Sequence, residues 1–242
     1  MCICPRVLGR VRLLCAQSWS WSTAAAGSSA IGMSNDQVAR DAAQHGYIAV
    51  TFEYDISAPG RWPREVDDVR AVIAWARSQA SQWGGDPGKI ATWGTSAGAN
   101  LAVEVAAAGD HSGLSADVGW SGPYLLQALP QQATTGEQQV AATADPFIYL
   151  NCFIQLCPEE YVAASPALSA TPGMPPTYLA NSSNELVPVG QQDAMVNTLQ
   201  RLTPSTRCRW KARSRGRRQS LQPLRVPRHR RDDHLPVRGA GL

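Results

Sequence analysis

A serine lies between two glycines in the stretch "KIATWGTSAGANLAVEVAAAG", residues 89–109. Residues 94–98 match the pattern G-x-S-x-G, in which a nucleophilic serine occupies a sharp turn from a strand into a helix. An apolar segment precedes the pentapeptide and an alanine-rich segment follows it, as that turn requires. The helix N-terminus would place positive partial charge near the Ser96 oxygen, and the Ala97 N–H would donate to an oxyanion. The alternative is a serine that only caps an ordinary helix.

The elements that must position this serine alternate between strands and helices. Apolar segments rich in β-forming residues predict strands, and segments with helical spacing of apolar residues predict helices. The strands are expected at 46–55, 89–94, 116–122 and 175–183, and the helices at 36–46, 64–84, 97–109 and 190–202. Connections longer than ten residues predict an α/β fold with a mostly parallel central sheet and helices on both faces. Residues 123–165 break the alternation and are predicted to form a cap-like insertion.

The segment "RWPREVDDVRAVIAWARSQASQWGGDPGKIATWGTSAGANLA" resembles the α/β-hydrolase fold in its esterase/lipase branch, near the hormone-sensitive-lipase-like and feruloyl-esterase-like groups. The similarity runs from about residue 38 to residue 200 and includes "WSGPY" and "ASPAL". It implies a core over residues 34–202 that is incomplete at both ends. It also implies hydrolysis of small carboxylic esters through an acyl-serine, using a Ser–His–acid triad, without a metal or cofactor.

The acid of that triad is expected in the loop Ser183-Asn184-Glu185-Leu186-Val187-Pro188, because the family has a loop similar to D-E-L-V-P there. Asn184 occupies the usual aspartate position and carries no negative charge. Glu185 follows it, and a glutamate can hold a catalytic histidine in the required tautomer. The resemblance therefore predicts Glu185 as the acid. The alternative is a solvated loop carboxylate.

No histidine can be carried over from the family pattern. His45 and His111 are predicted to be solvated residues near helix ends, and His229 and His234 lie in the C-terminal tail. A serine without a base is a weak nucleophile near neutral pH. We therefore expect the chain as printed to be impaired or inactive. The competing interpretation is a non-catalytic relic or binding module that keeps the fold.

Residues 1–33 do not match the family pattern. The family has a strand and a His-Gly-Gly-Gly-type oxyanion loop where residues 18–27 read "SWSWSTAAAG". Translation from the last base of the Gln17 codon can give Val-Val-Val-Leu-Val-His-Gly-Gly-Gly-Trp, since Trp is TGG and Ser can be TCN. We hypothesise that this N-terminus is translated out of frame, with a compensating shift before the first helix.

Residues 203–242 form a basic tail with no helical or strand period. Residues 201–242 hold 13 of the 22 Lys and Arg residues but 2 of the 19 Asp and Glu residues. Such a composition is typical of a GC-rich gene translated in the wrong frame, or of a disordered basic tail. A third functional class, salt-dependent binding of nucleic acid by the tail, is the least favoured hypothesis.

The remaining composition excludes several classes. The sequence has no run of 18 apolar residues that would predict a membrane span, and the N-terminus lacks a clear cleavage site. We therefore expect a cytoplasmic protein, with secretion as the alternative, and a small-molecule ester as its partner. The six cysteines fit no zinc-binding spacing. Cys152 and Cys157 either bridge a short loop or remain free thiols.

Overall fold

A five-stranded parallel sheet forms the centre of the computed structural model, which describes residues 12–16, 35–52, 54, 62–182 and 185–202. The strand order is β2-β1-β3-β4-β5. The strands are β1 Arg12–Ala16, β2 Ile48–Phe52, β3 Ile90–Thr95, β4 Ala116–Trp120 and β5 Thr177–Ala180. All neighbouring pairs are parallel. The predicted α/β fold with a parallel central sheet is confirmed.

Helices connect and flank the strands. They are α1 Asn35–Gln44, α2 Arg64–Gln79, α3 Ala97–Ala107, α4 Leu129–Gln132, α5 Gly136–Leu150, α6 Pro158–Ala163, α7 Pro166–Ser169 and α8 Val189–Leu202. Helix α2 continues into a 3₁₀ turn that ends at Gly84, whose left-handed backbone caps it. None of the described helices combines the length and hydropathy that a bilayer crossing requires.

Helix α3 is the most enclosed element of the core. Every one of its residues is buried, and it packs against α2, β3 and β4. The side chains of Val66, Val69 and Ile73 on α2 recur at helical spacing and face the same core. An alanine-rich sequence suits α3, because small side chains let a helix approach the sheet and its neighbours closely.

Strand β1 was not predicted from the sequence. It lies between β2 and β3, with Arg12 in register with both Ile48 and Ile90. The sequence analysis placed the corresponding strand at residues 18–27 in a different reading frame, and those residues lie outside the described part of the chain. A five-residue segment without turn signals beside it carries too little periodicity to be recognised as a strand.

Between β4 and β5 the chain forms α4 to α7 instead of one crossover helix. This segment includes residues 123–165, for which the role of a cap remains a prediction. Cys152 and Cys157 form a disulfide across the short connection from α5 to α6, with their Cα atoms 6.2 Å apart. Of the two alternatives for these cysteines, the structure has the bridge.

Candidate active site

Ser96 occupies a strained turn between the last residue of β3 and the first residue of α3. Its φ of 52° and ψ of −125° are unusual for a residue with a side chain. A Cβ atom on Gly94 would overlap the backbone oxygen of Gly98, so the first glycine is needed for strand and helix to approach this closely. The Ser96 N–H donates to the Trp120 carbonyl at 2.9 Å, which anchors the turn to the end of β4.

The first turn of α3 leaves a donor beside Ser96. The Ser96 carbonyl accepts hydrogen bonds from the N–H groups of Ala99 at 3.0 Å and Asn100 at 3.2 Å. Ala97 is the first helical residue, so its N–H has no acceptor within the helix. No described residue outside the helix accepts from it either. This N–H lies at the positive end of the helix dipole, where it can stabilise a developing oxyanion.

A small pocket opens at Ser96. Its wall consists of the turn, the loop after β4, helices α4 and α5, and the loop after β5. The lining residues are Ser96, Ala97, Pro123, Leu129, Gln138, Ala141, Ala142, Asp145, Leu186, Val187 and Pro188. About 20 Å³ is open to the centre of a water molecule. Ser96 is half-buried and faces this pocket, whereas a serine that only caps a helix has no need of one.

Glu185 lies in the loop after β5, at the same sheet edge as Ser96, since the carboxyl ends of parallel strands share one edge. Its side chain is exposed. Its backbone carbonyl accepts a hydrogen bond from Gln138 Nε2 at 2.9 Å, and Asn181 Nδ2 donates to the Val187 carbonyl at 3.2 Å. Ser183 and Asn184 lie outside the described residues. The sequence analysis missed Gln138 and Asn181, because nothing in their local pattern marks a contact with this loop.

The two described histidines lie at the amino ends of the strands, whereas Ser96 lies at the carboxyl ends. His45 precedes β2 and is exposed, with Nδ1 2.7 Å from the Asp41 carbonyl. His111 precedes β4, so it is also at the amino ends of the strands. It is half-buried, and its ring nitrogens lie 2.9 Å from the Ala106 carbonyl and 3.2 Å from the Pro172 carbonyl. The expectation that His111 is simply solvated was therefore wrong. His229 and His234 lie outside the described residues.

Two buried carboxyl groups, those of Glu104 and Asp117, lie in the core and do not line the pocket. Glu104, on α3, accepts from Trp62 Nε1 at 2.8 Å and from the Tyr149 hydroxyl at 3.4 Å. Burial nevertheless raises the pKa of Glu104 from its ordinary 4.5 to about 7. Asp117, on β4, accepts from Thr92 Oγ1 at 2.7 Å, and burial raises its pKa to about 7. Each carboxyl group hydrogen-bonds a neighbouring element, as buried polar groups generally do in folded proteins.

A third carboxyl group, that of Asp145, does line the pocket. It is half-buried on α5, and burial raises its pKa from 3.8 to about 6. The sequence analysis did not select it, because an isolated aspartate in a helix carries no motif. Across the described ranges, no group of three or more His, Cys, Asp and Glu side chains is arranged to hold a metal ion.

Comparison with known proteins identifies relatives for most of the chain. The family model of BD-FAE matches residues 20–199, about three quarters of the sequence. Esterase LipC of Mycobacterium tuberculosis is 28% identical over 183 residues, which cover 67% of this chain and 43% of LipC. The chain spans about two fifths of the length of the curated relatives it matches.

Solved structures share the fold at low sequence identity. A truncated carbohydrate esterase from gut microbiota superposes with a TM-score of 0.65 at 17% identity, covering 87% of this chain and 78% of that chain. An esterase of Pyrobaculum calidifontis gives a TM-score of 0.62 at 20% identity, covering 87% and 69%. Together with the sheet order and the turn at Ser96, these matches establish that the chain belongs to the BD-FAE family and has an α/β-hydrolase fold of the esterase/lipase type.

Proposed function

We propose that this protein is a serine hydrolase that cleaves small carboxylic esters through an acyl-serine formed on Ser96. The observation that carries the proposal is the strained turn: it exposes one hydroxyl to a pocket and leaves the Ala97 N–H beside it without an acceptor. Among the relatives, LipC carries the name of an esterase and NlhH that of a carboxylesterase, which supports the same chemistry.

The proposed reaction has two steps. Ser96 Oγ attacks the acyl carbon while its proton passes to a base, and the oxyanion accepts a hydrogen bond from the Ala97 N–H. The C–O bond to the alcohol then breaks, and the alcohol leaves with that proton. Water hydrolyses the acyl-serine by the same route, releasing the acid. Glu185 would orient the base, since its loop lies at the same sheet edge as Ser96.

The size of the pocket favours a short acyl group. A cavity needs about 10–15 Å³ of space open to a water centre to hold one water molecule. The 20 Å³ at Ser96 therefore suits an acyl group with about one or two heavy atoms beyond the carbonyl. We propose acetyl and propionyl esters as the preferred class, ahead of long acyl chains.

No catalytic base is identified near Ser96 among the described residues of this chain. Neither described histidine shares a sheet edge with Ser96. Loss of one triad member leaves roughly 10³- to 10⁴-fold catalysis over the uncatalysed reaction, from binding and oxyanion stabilisation. We therefore propose slow ester hydrolysis for the chain as printed, and faster hydrolysis for a protein whose two termini are translated in the restored frames.

The test is labelling with a serine-reactive fluorophosphonate, followed by hydrolysis of p-nitrophenyl acetate. We expect one labelled site, lost in Ser96→Ala and kept in the matched control Ser78→Ala, whose exposed hydroxyl lies on α2. Hydrolysis should fall with the labelling. Persistent labelling in Ser96→Ala would contradict the assigned nucleophile. Absence of labelling in the unmodified chain and in both variants would favour the non-catalytic relic or binding module.

The coding DNA tests the frame hypothesis independently of any assay. If the Ser22–Thr23 junction spells CAC, the alternative frame contains the histidine of the oxyanion loop. If it cannot, the out-of-frame origin of residues 1–33 is wrong. Expression with both termini restored should raise Ser96-dependent hydrolysis by at least about 100-fold, because a general base and an oxyanion donor each contribute on that scale.

A further inference from the structure

Asp145 is an acidic group with an unpartnered oxygen in a pocket lined mostly by apolar residues. Eight of its neighbours in the lining are alanine, leucine, valine or proline residues. Its Oδ1 atom is buried and has no hydrogen-bond partner in the described part of the molecule. A buried polar atom without a partner is costly in a folded protein, so its retention calls for an explanation.

The other polar lining side chains do not satisfy Asp145. Gln138 is already engaged: Nε2 donates to the Glu185 carbonyl at 2.9 Å, and Oε1 accepts from the Thr134 N–H at 2.7 Å. Ser96, the remaining polar lining side chain, makes no hydrogen bond with Asp145. Asp145 therefore keeps acceptor capacity that none of the other lining side chains uses.

The backbone beside Asp145 adds to the excess of acceptors. Pro146 follows it inside α5 and has no N–H, so the Ala142 carbonyl lacks its standard intrahelical donor. Ala142 itself lines the pocket. The wall formed by α5 thus contains a carboxyl group without a partner and a carbonyl without its usual donor, while Ala97 in the same lining provides a donor for the oxyanion.

We propose that Asp145 selects substrates whose acyl group carries a hydrogen-bond donor, either a hydroxyl or an ammonium, on the carbon next to the ester carbonyl. Ser96 and Asp145 line the same small pocket, so an acyl group bound to Ser96 would have that carbon near the Asp145 wall. The inference rests on the proposed function for its choice of acyl group, and it adds the substrate class. A donor on that carbon would give the Asp145 carboxyl group the hydrogen-bond partner that no described residue supplies.

The test measures binding without chemistry, by NMR titration of the full chain with three isosteric amides. Propionamide ends in a methyl group, glycolamide in a hydroxyl, and glycinamide in an ammonium at pH 7. A hydrogen bond to a charged group contributes about 1.5–3 kcal/mol, so we expect glycolamide or glycinamide to bind roughly 10- to 100-fold more tightly than propionamide. The stronger of the two identifies the donor type.

The variants assign that preference to one side chain. Asp145→Asn keeps the shape and removes the charge, so the glycinamide preference should fall at least about tenfold, and Asp145→Ala should abolish both preferences. Glu137→Gln is the matched control, because it removes an exposed carboxylate from the same helix outside the pocket and should change nothing. Melting temperatures of all three variants check that they are folded.

Three outcomes would overturn the inference. One is equal binding of the three amides by the wild-type chain, and another is an unchanged preference in both Asp145 variants. The third is loss of Ser96 labelling in Asp145→Asn with amide binding unchanged, which would make the carboxyl group part of the acylation chemistry instead. Failure of Ser96 labelling alone would contradict the proposed function, while the amide preference would still be measured independently.

Discussion

The turn at Ser96 and the loop that carries Glu185 lie at the same edge of the sheet, but they are held in place by different means. The turn is fixed by backbone geometry: Gly94, the positive φ of Ser96 and the buried helix α3 leave it little freedom. The loop is exposed at Glu185 and is held by two amide side chains, those of Asn181 and Gln138.

This difference indicates how the two parts tolerate change. A backbone clash at the turn cannot be relieved without moving a strand against a helix, so substitution there should be costly. The loop depends on single hydrogen bonds, each with a net contribution of about 1 kcal/mol, so it should adapt more readily. The turn can therefore keep its geometry when residues of the loop change.

The largest effect is expected at Glu185. In the protein with restored termini, Glu185→Gln should lower kcat/KM on p-nitrophenyl acetate by about 10³- to 10⁴-fold, because the neutral amide no longer stabilises the correct histidine tautomer. Glu159→Gln, an exposed carboxylate in the first turn of α6, is the control. A rise in rate for Asn184→Asp with no loss in Glu185→Gln would assign the acid to position 184 instead.

The next effect tests the rigidity of the turn. Gly94→Ala should lower the free energy of unfolding by at least about 3 kcal/mol, because the new Cβ overlaps the Gly98 backbone oxygen. Urea unfolding measures it. Gly109→Ala is the matched control, since no atom lies within 4 Å of the Cβ it adds. Equal stability of the two variants would show that the turn at Ser96 can relax, and would contradict its greater rigidity relative to the Glu185 loop.

A pH effect is expected from Glu104, which anchors the helix that follows the turn. Its folded-state pKa of about 7 lies above its ordinary 4.5, so the folded protein binds this proton more strongly than the unfolded chain. Its contribution is fully present below pH 4.5 and is lost as pH rises to about 7, which lowers the free energy of unfolding by about 3 kcal/mol. Urea unfolding from pH 4.5 to 7.5 should show a shallower decline in Glu104→Gln. Asp117 is buried in both the wild type and Glu104→Gln, so any difference between their pH profiles comes from Glu104. Superimposable profiles would contradict the raised pKa of Glu104.

The smallest effect is expected at Gln138. Gln138→Leu removes the hydrogen bond to the Glu185 carbonyl and the cap on the Thr134 N–H, so it should lower the free energy of unfolding by about 1–2 kcal/mol. KM should change more than kcat, because Gln138 lines the pocket. Gln139→Leu, on the exposed side of the same helix, should have little effect on either quantity. A loss as large as that of Gly94→Ala would mean that the loop is as tightly fixed as the turn.

Local pattern was sufficient for the parts of this protein that depend on short-range geometry. Apolar periodicity predicted a strand over 89–94 and a helix over 97–109, close to the observed β3 and α3, and Gly94 is sterically required in the turn between them. The alternation of strands and helices also predicted a parallel sheet, because crossover connections of that length admit few other arrangements.

Tertiary structure alone decided which distant residues meet at Ser96. Gln138 reaches the Glu185 loop across 47 positions of sequence, and Asp145 faces the pocket because α5 folds back over the carboxyl ends of the strands. Strand β1 lies between β2 and β3 in the sheet although its five residues lack a distinctive pattern. Burial and long-range pairing depend on how whole elements pack, and no window of local sequence contains that information.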